Sequence, residues 1–326
     1  MYWKMNNLFV IIPVHNKEKT LDECVRSLNK SILGLGYKFK TFLVINDCSD
    51  KSSEIATKCK YKYPSLNIKI LNSQKGKLHA QESAIREINS NNPILFIDAD
   101  IILKKDTIKI LIKELKKHPH LIAIGSFPIA RYYKGNNIWK SFLDKVLNIR
   151  SRYPMSEISR LNVEEYHPYV IYDPQHKNTS VNHELKSKIF FHGRTFLLRS
   201  KKYWFKPKTE KIVGDDSYIP DYITFNYGKG RIRNRYDSIV YYNPFISLKE
   251  HFNVYKRIYF DLRNLARTYP SFEDIRNHSQ LVLDWTYIRR QKFTIRLLFS
   301  LYSLVRKIER FFYKFSINQN PSKIWK

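Results

Sequence analysis

Short apolar blocks alternate with polar, helix-spaced stretches along the first hundred residues. Leu8-Phe9-Val10-Ile11-Ile12 is followed by Leu21, Cys24, Val25, Leu28 and Ile32, which are spaced for one face of a helix. Phe42-Leu43-Val44-Ile45 precedes a polar helix around 53–60. Ile68-Lys69-Ile70-Leu71 precedes a helix through Ala80, Ala84, Ile85 and Ile88, and Pro93 introduces Ile94-Leu95-Phe96-Ile97. Unbroken apolar runs of this length predict strands covered on both faces. Strands alternating with helices predict a parallel, right-handed β/α sheet. In such sheets ligands gather beyond the carboxyl ends of the strands. Each predicted strand runs into a polar cluster at that edge: Pro13 to Glu18, Asn46 to Asp50, Asn72 to Lys77, and Asp98-Ala99-Asp100.

The last cluster carries the sharpest chemistry. Two carboxylates directly after a buried strand repel each other and lose hydration, unless something positive joins them. Carboxylate oxygens are hard ligands, suited to Mg2+ or Mn2+ bridging protein and substrate phosphates. A solvated strand-end turn is the alternative for Asp98-Ala99-Asp100 taken alone. Three further clusters at the same edge favour a site.

Taken in order, these motifs resemble those of an inverting family 2 glycosyltransferase. The matching segments are Val10 to Glu18, Val44 to Ser49, Gly76-Lys77 with Ala80, and Phe96 to Asp100, followed by Val213-Gly214-Asp215-Asp216. The likeness covers residues 8 to about 110 and returns over 189 to 260. Asn46 stands where the family often has Asp, and Asp215 where Glu is usual. No Gln-x-x-Arg-Trp motif of processive synthases is recognisable, which argues against processive polymer synthesis. The resemblance implies a GT-A fold: an α/β, Rossmann-like, mostly parallel sheet flanked by helices, here with a helical C-terminal extension.

The resemblance also implies roles. Asp98 and Asp100 would hold the metal that neutralises a diphosphate leaving group, with Asp98 supporting it or contacting ribose. Pro13, His15 and Glu18 correspond to the loop around the nucleotide, although Glu18 also suits a first-turn helix acid. Asp47 would accept from a base N–H; a helix N-cap or Asx turn explains it as well. Lys77, and Lys75 across Gly76, are within reach of phosphate oxygens if the backbone approaches closely. Displacement at an anomeric carbon needs a general base for the acceptor hydroxyl. Asp216 matches that base, with Asp215 holding its position or raising its pKa; an exposed turn after Gly214 is the alternative. His192 and Gly193 correspond to the acceptor wall, a strand bulge being an equal explanation for Gly193. Lys256 and Arg257 close over the diphosphate or form a solvated helix face.

Charge narrows the partners. The chain has 326 residues, 58 basic and 29 acidic, for a net charge of +29. So large an imbalance implies an anionic partner. Three cysteines, Cys24, Cys48 and Cys59, make no complete disulfide framework, and no signal peptide or run of ~18 apolar residues is visible. A cytoplasmic protein, peripheral on the inner membrane face, is expected. From Lys292 to Phe315 apolar residues including Leu297, Leu304, Ile308, Phe311 and Phe315 recur at helical spacing among Arg296, Arg306, Lys307, Arg310 and Lys314. Such a basic amphipathic helix either lies on an anionic bilayer or packs on the protein.

The expected organisation is a nucleotide-sugar half over 1–125, an acceptor half over 126–250 and a helical region over 251–326. Arg150 to Lys188 lacks periodicity and reads as an insertion or acceptor-gating loop. His167, His176 and His183 show no metal spacing. The expected activity is metal-dependent inverting transfer of a sugar, of hexosyltransferase type. The donor is a nucleotide-diphosphate sugar, a UDP-sugar first, and the acceptor a hydroxyl of a glycan or lipid-linked intermediate in cell-surface polysaccharide or glycoconjugate synthesis. A nucleotidyltransferase could use the same acids, but Pro13-Val14-His15-Asn16 is no glycine-rich phosphate loop. A basic nucleic-acid-binding protein fits the charge alone, and no motif indicates a specific nucleic acid.

Overall fold

The computed structural model describes residues 7–153, 169–171, 191–228, 230–272, 275, 281–283 and 288–316. The apolar blocks become strands and the spaced blocks helices, in the predicted order. β1 (Asn7–Val14) and β2 (Lys38–Asn46) frame α1 (Leu21–Ile32), and α2 (Ser52–Lys62) leads to β3 (Ile68–Ser73). α3 (Lys77–Arg86) then leads to β4 (Ile94–Ile97). Leu8, Val10, Ile11 and Ile12 of β1 and Ile94 and Leu95 of β4 are sealed from solvent. That two-sided burial is why these strands read as unbroken apolar runs rather than alternations. β1 continues through Pro13, which pairs with Val44 of β2 and falls beyond the last pair with β4, Ile11 with Phe96.

The remaining sheet strands are β5 (Ile101–Leu103), β6 (Ala123–Ala130), β8 (Thr195–Leu198) and β9 (Ile232–Tyr242), in the overall order β3-β2-β1-β4-β8-β6-β9-β5. β7 (Tyr169–Ile171) pairs with β10 (Leu281–Leu283) outside this sheet. β1 to β4 are parallel, whereas β8 runs antiparallel to both β4 and β6, and β5 antiparallel to β9. The sheet therefore changes character at β4. Its neighbour β8 enters from the edge where β4 ends, so the segment before β8 meets the Asp98 turn; Asp98 N–H donates to the Arg194 carbonyl at 2.9 Å. α4 (Thr107–Lys117) and α6 (Asp215–Tyr227) complete this part.

The chain divides into two compact units. The first comprises 1–128, 187–207 and 213–242; the second comprises 129–186, 208–212 and 243–326. In the second unit, α5 (Ile138–Leu147), α7 (Leu248–Thr268) and α8 (Phe293–Phe315) supply the helices. Val146, Ile149, Tyr153, Ile288, Phe299 and Tyr302 form its apolar cluster. The helical spacing read over Lys292 to Phe315 is thus one helix, but its apolar residues do not share one face: Leu298 and Leu301 pack inward, while Leu304, Ile308, Phe311 and Phe315 are exposed. Most of the 150–188 stretch lies outside the described residues, as do His167, His176 and His183.

Candidate active site

Three of the four strand-end clusters of the first unit, joined by Arg194 and Asp215, assemble into a lattice of acids and cations. Lys77 Nζ lies 2.6 Å from Asp98 Oδ1 and 2.9 Å from Asp215 Oδ1. Lys17 Nζ lies 2.7 Å from Asp100 Oδ2. Arg194 Nη1 stands 3.7 Å from Asp100 Oδ1, and the guanidinium stacks on the Tyr242 ring at 3.9 Å from its centre. Burial pushes the Asp98 carboxyl upward; Lys77 opposes this without cancelling it, and the neighbouring Asp100 and Asp215 charges add to the rise. Asp100 goes the other way: burial raises it, but Lys17 and Arg194 together hold it below the ordinary carboxylate range. For Lys77, burial disfavours the ammonium, yet Asp215, Asp98 and Asp216 outweigh burial and keep it charged. Two adjacent aspartates thus sit in opposite electrostatic states.

One oxygen stands out. Asp100 Oδ1 is buried and accepts no hydrogen bond from the described residues. A buried acceptor without a donor is rare and calls for a cation or a ligand group. Asp98 and Asp100 therefore fit a divalent ion by donor type. Among the described residues no group of three or more His, Cys, Asp or Glu converges on one point. An ion held here would have to draw the rest of its shell from donor phosphates and water, as Mg2+ and Mn2+ sites on phosphate substrates do.

The acid doublet opens α6 rather than lying in an exposed turn. Gly214 is the N-cap residue, and Asp215 and Asp216 occupy the first turn, where carboxylates complement the helix dipole. Asp215 is 1% exposed. Its Oδ1 accepts from Lys77 Nζ and from the Asp216 N–H at 3.0 Å, and its Oδ2 accepts from Gln81 Nε2 at 2.7 Å. Gln81 is itself fixed, its Oε1 accepting from Trp204 Nε1 at 3.1 Å. Burial, with the Asp216 charge beside it, lifts the Asp215 carboxyl despite Lys77. Asp216 is half-buried. The doublet divides in two: one acid buried and locked into the lattice, the other half-buried beside it.

Gly193 explains how the doublet fits. A Cβ there would lie 2.7 Å from Asp215 Oδ1 and 2.8 Å from the Asp216 Cβ. Only a residue without a side chain lets this turn before β8 approach the doublet, and the Gly193 carbonyl accepts from Lys77 Nζ at 3.0 Å. The preceding His192 stands edge-on to Phe127, with ring centres 6.1 Å apart.

The first two loops are bound to each other. His15 Nδ1 is 2.6 Å from the Asn46 carbonyl, and Asn46 Oδ1 accepts from the Gly76 N–H at 2.8 Å. Asn46 thereby joins the end of β2 to the start of α3, where Gly76 adopts φ 131°. Glu18 precedes α1 rather than sitting in its first turn, which holds Asp22 and Glu23. Its carboxylate instead accepts from the Lys51 N–H at 3.2 Å, at the start of α2. Asp50, not Asp47, makes the local turn: its Oδ1 accepts from the Ser52 N–H at 3.0 Å and its Oδ2 from the Glu18 N–H at 3.0 Å. Asp47 is exposed in the left-handed region at φ 49°. No described residue hydrogen-bonds its carboxylate, so neither a cap nor an Asx turn accounts for it.

Pro13, His15, Glu18, Asp47, Lys77, Asp98, Asp100, His192, Gly193, Asp215 and Asp216 all belong to the first unit, whereas Lys256 and Arg257 lie on α7 of the second. The sequence reading assigned no role to Lys17, Gln81, Arg194 or Trp204. Lys17 and Arg194 sat inside matched segments, and their charge was the available signal. Gln81 and Trp204 gave none, because only the fold brings them to Asp215.

The parallel half of the sheet ends in an acid pair, and a helix start brings a second acid doublet to the same lattice, the arrangement that the family resemblance leads one to expect. The glycosyl transferase family 2 model matches residues 9–203, and the chain belongs to that family. Comparison with curated proteins gives no match. Among solved structures, the mannosyltransferase PcManGT from Pyrobaculum calidifontis in complex with GDP-Man and Mn2+ superposes with a TM-score of 0.54 at 12% identity, covering 94% of this chain and 76% of that one. The 1–349 fragment of S. aureus TarS gives 0.46 at 16% identity, covering 78% of this chain and 64% of that one. Glucosyl-3-phosphoglycerate synthase from Mycobacterium tuberculosis, in complex with Mn2+, UDP-Glc and phosphoglyceric acid, gives 0.46 at 12%, covering 79% and 78%. The chain spans 64% of the TarS fragment and 39% of the longer TarS structure. The family match favours the glycosyltransferase reading over the nucleotidyltransferase one.

Proposed function

We propose that the chain transfers a hexose, with inversion, from a nucleotide-diphosphate donor to a hydroxyl of a glycan or lipid-linked acceptor, using Mn2+ or Mg2+. The observation that carries this reading is the asymmetry of the carboxylates: Asp98, Asp100 and Asp215 are cation-paired, while Asp216 stands half-buried beside them. Asp98 and Asp100 would hold the ion, which would supply neutralisation of the charge on the leaving diphosphate. Asp47, exposed and without a local partner, receives the donor base, and Pro13, His15 and Glu18 shape the loop beside it. Asp216 takes the proton of the acceptor hydroxyl as that oxygen bonds to the anomeric carbon and the bond to the diphosphate breaks. Asp215, held by Lys77 and Gln81, fixes the helix start that presents Asp216. His192 and Gly193 border the acceptor. UDP-sugar is the first donor to test, and cell-surface polysaccharide or glycoconjugate synthesis the setting.

The test is a melting-temperature screen with UDP, GDP, CDP and dTDP, each with and without Mn2+. A ligand that binds only the folded state raises the melting temperature. Stabilisation by one nucleotide that requires Mn2+ and disappears in Asp100→Ala is expected. An equal shift without metal would overturn the metal assignment. In the same donor, Asp216→Asn should keep the shift while transfer falls about 10²–10⁴-fold, the usual contribution of a general base. Transfer at the wild-type rate would remove Asp216 from the role.

A further inference from the structure

Helix α8 has two apolar faces, and one of them has no counterpart in the second unit's core among the described residues. Its inner face carries Phe299, Tyr302 and Tyr313, all nearly sealed, packed with Val146, Tyr153 and Phe252. Its outer face carries Leu304, Ile308, Phe311 and Phe315, exposed by 53%, 48%, 59% and 73%. At about 100° per residue these four fall within a sector of about 60°, roughly opposite the buried face. Arg296, Lys307 and Lys314 form an exposed row along one side of that sector, with Arg310 beyond it. A helix already held by its core face has no folding reason to keep a second stripe of phenylalanine and leucine in water.

We propose that this outer face of α8 lies in the headgroup region of an anionic lipid bilayer, with the chain docked on the membrane surface. Charge selects this occupant. The chain carries +29, so two copies repel, whereas an anionic surface attracts the basic row that borders the apolar stripe. The pattern is that of a helix lying in the interface plane, apolar residues inserted and cations at the phosphates. Among the described residues no helix is long and apolar enough to cross a membrane, so the attachment is to the surface. It is independent of donor and acceptor identity.

The experiment is flotation of the full chain with phosphatidylcholine vesicles, with and without about one-third phosphatidylglycerol. The chain should float with the anionic vesicles and remain largely unbound to the neutral ones. The pair Phe311→Ser and Phe315→Ser should lower anionic-vesicle binding on the order of tenfold or more, because the stripe is removed. Lys307→Glu with Lys314→Glu should lower it as well. Both variants should melt like the wild type, since all four side chains are exposed. Three results would overturn the proposal. The serine pair floating like the wild type would mean adsorption by net charge alone. No flotation of the wild type would mean no membrane contact. A wild-type dimer in solution that the serine pair dissociates would assign the stripe to a second copy.

Discussion

Two buried charge clusters, one in each unit, are built from similar residues and do different things. In the first unit Lys77 joins Asp98 and Asp215, with Lys17 and Arg194 on Asp100 and Asp216 beside them. In the second, Glu309 takes His251 Nδ1 at 2.7 Å on one oxygen and Arg306 on the other, and Arg306 stacks on Tyr255 with its guanidinium 3.6 Å from the ring centre. The second cluster holds α7 to α8 and is sealed: His251 is fully buried and Glu309 nearly so. One acid there meets two potential cations. In the first cluster four carboxylates meet three cations, and Asp100 Oδ1 is left without a donor. Burial of charge alone does not mark a site. The surplus of one sign does, because it leaves room for a positive ligand.

The largest expected effect breaks the first cluster at its centre. Lys77→Met leaves Asp98 and Asp215 buried without their shared cation, and removing one partner of a buried pair typically costs about 3–5 kcal/mol. Denaturant unfolding at neutral pH should show a loss of that order. The loss should shrink in acid, where the two carboxylates take up protons. A melting temperature unchanged at neutral pH would mean that water already serves these acids and that the lattice is not structural. Activity should fall too, since Asp215 then no longer fixes the start of α6.

Breaking the second cluster should be milder and should leave chemistry intact. Glu309→Gln keeps the shape but replaces two charge-assisted hydrogen bonds by neutral ones, an expected loss of about 1–3 kcal/mol. Nucleotide-induced stabilisation should be retained. If Glu309→Gln abolished the nucleotide shift while the protein stayed folded, the division into a functional and a structural cluster would fail.

The comparison also shows where sequence reading stops. The strand-end acids were legible because apolar runs reveal buried parallel strands, and the ends of such strands face one edge. Asp98 and Asp100 could be named for that reason, whereas the Asp215-Asp216 doublet, which opens a helix, was legible only through its likeness to the family's acidic motif. Gln81 and Trp204 could not, since the bonds of Gln81 to Trp204 and to Asp215 each span more than a hundred residues of chain. Glu18 was legible as an acid near a helix start, but the helix it serves is α2 rather than α1, a matter of tertiary contact. The periodicity of α8 was clear, yet apolar residues at Leu297, Leu298, Leu301 and Leu304 cover more than one face. Which face is buried was settled by the partners, Phe299 against Tyr153 among them, and not by the spacing.

The smallest effect sharpens the contrast within the first cluster, between the two aspartates of one turn. Burial raises Asp98 above an unfolded carboxylate, whose pKa is about 3.9. The folded state then binds more protons than the unfolded one between that value and the raised one, so stability falls as pH rises through this window. Asp100 has the opposite sign: its pairing with Lys17 and Arg194 stabilises the fold above the unfolded value and is lost as pH falls through its depressed folded pKa. Asp98→Asn removes the first titration and should therefore gain stability relative to the wild type as pH rises through the window, with a constant difference above it. Asp100→Asn should lose stability relative to the wild type over the lower, adjoining range. Melting temperatures of both variants from pH 3 to 7, on the order of the carboxylate range, give the two slopes directly. Slopes of the same sign would mean that the turn titrates as one group, and that the cations are shared rather than divided between the two acids. Opposite slopes would leave Asp98 as the acid the fold holds at a disadvantage, the expected condition of a ligand waiting for a positive ion.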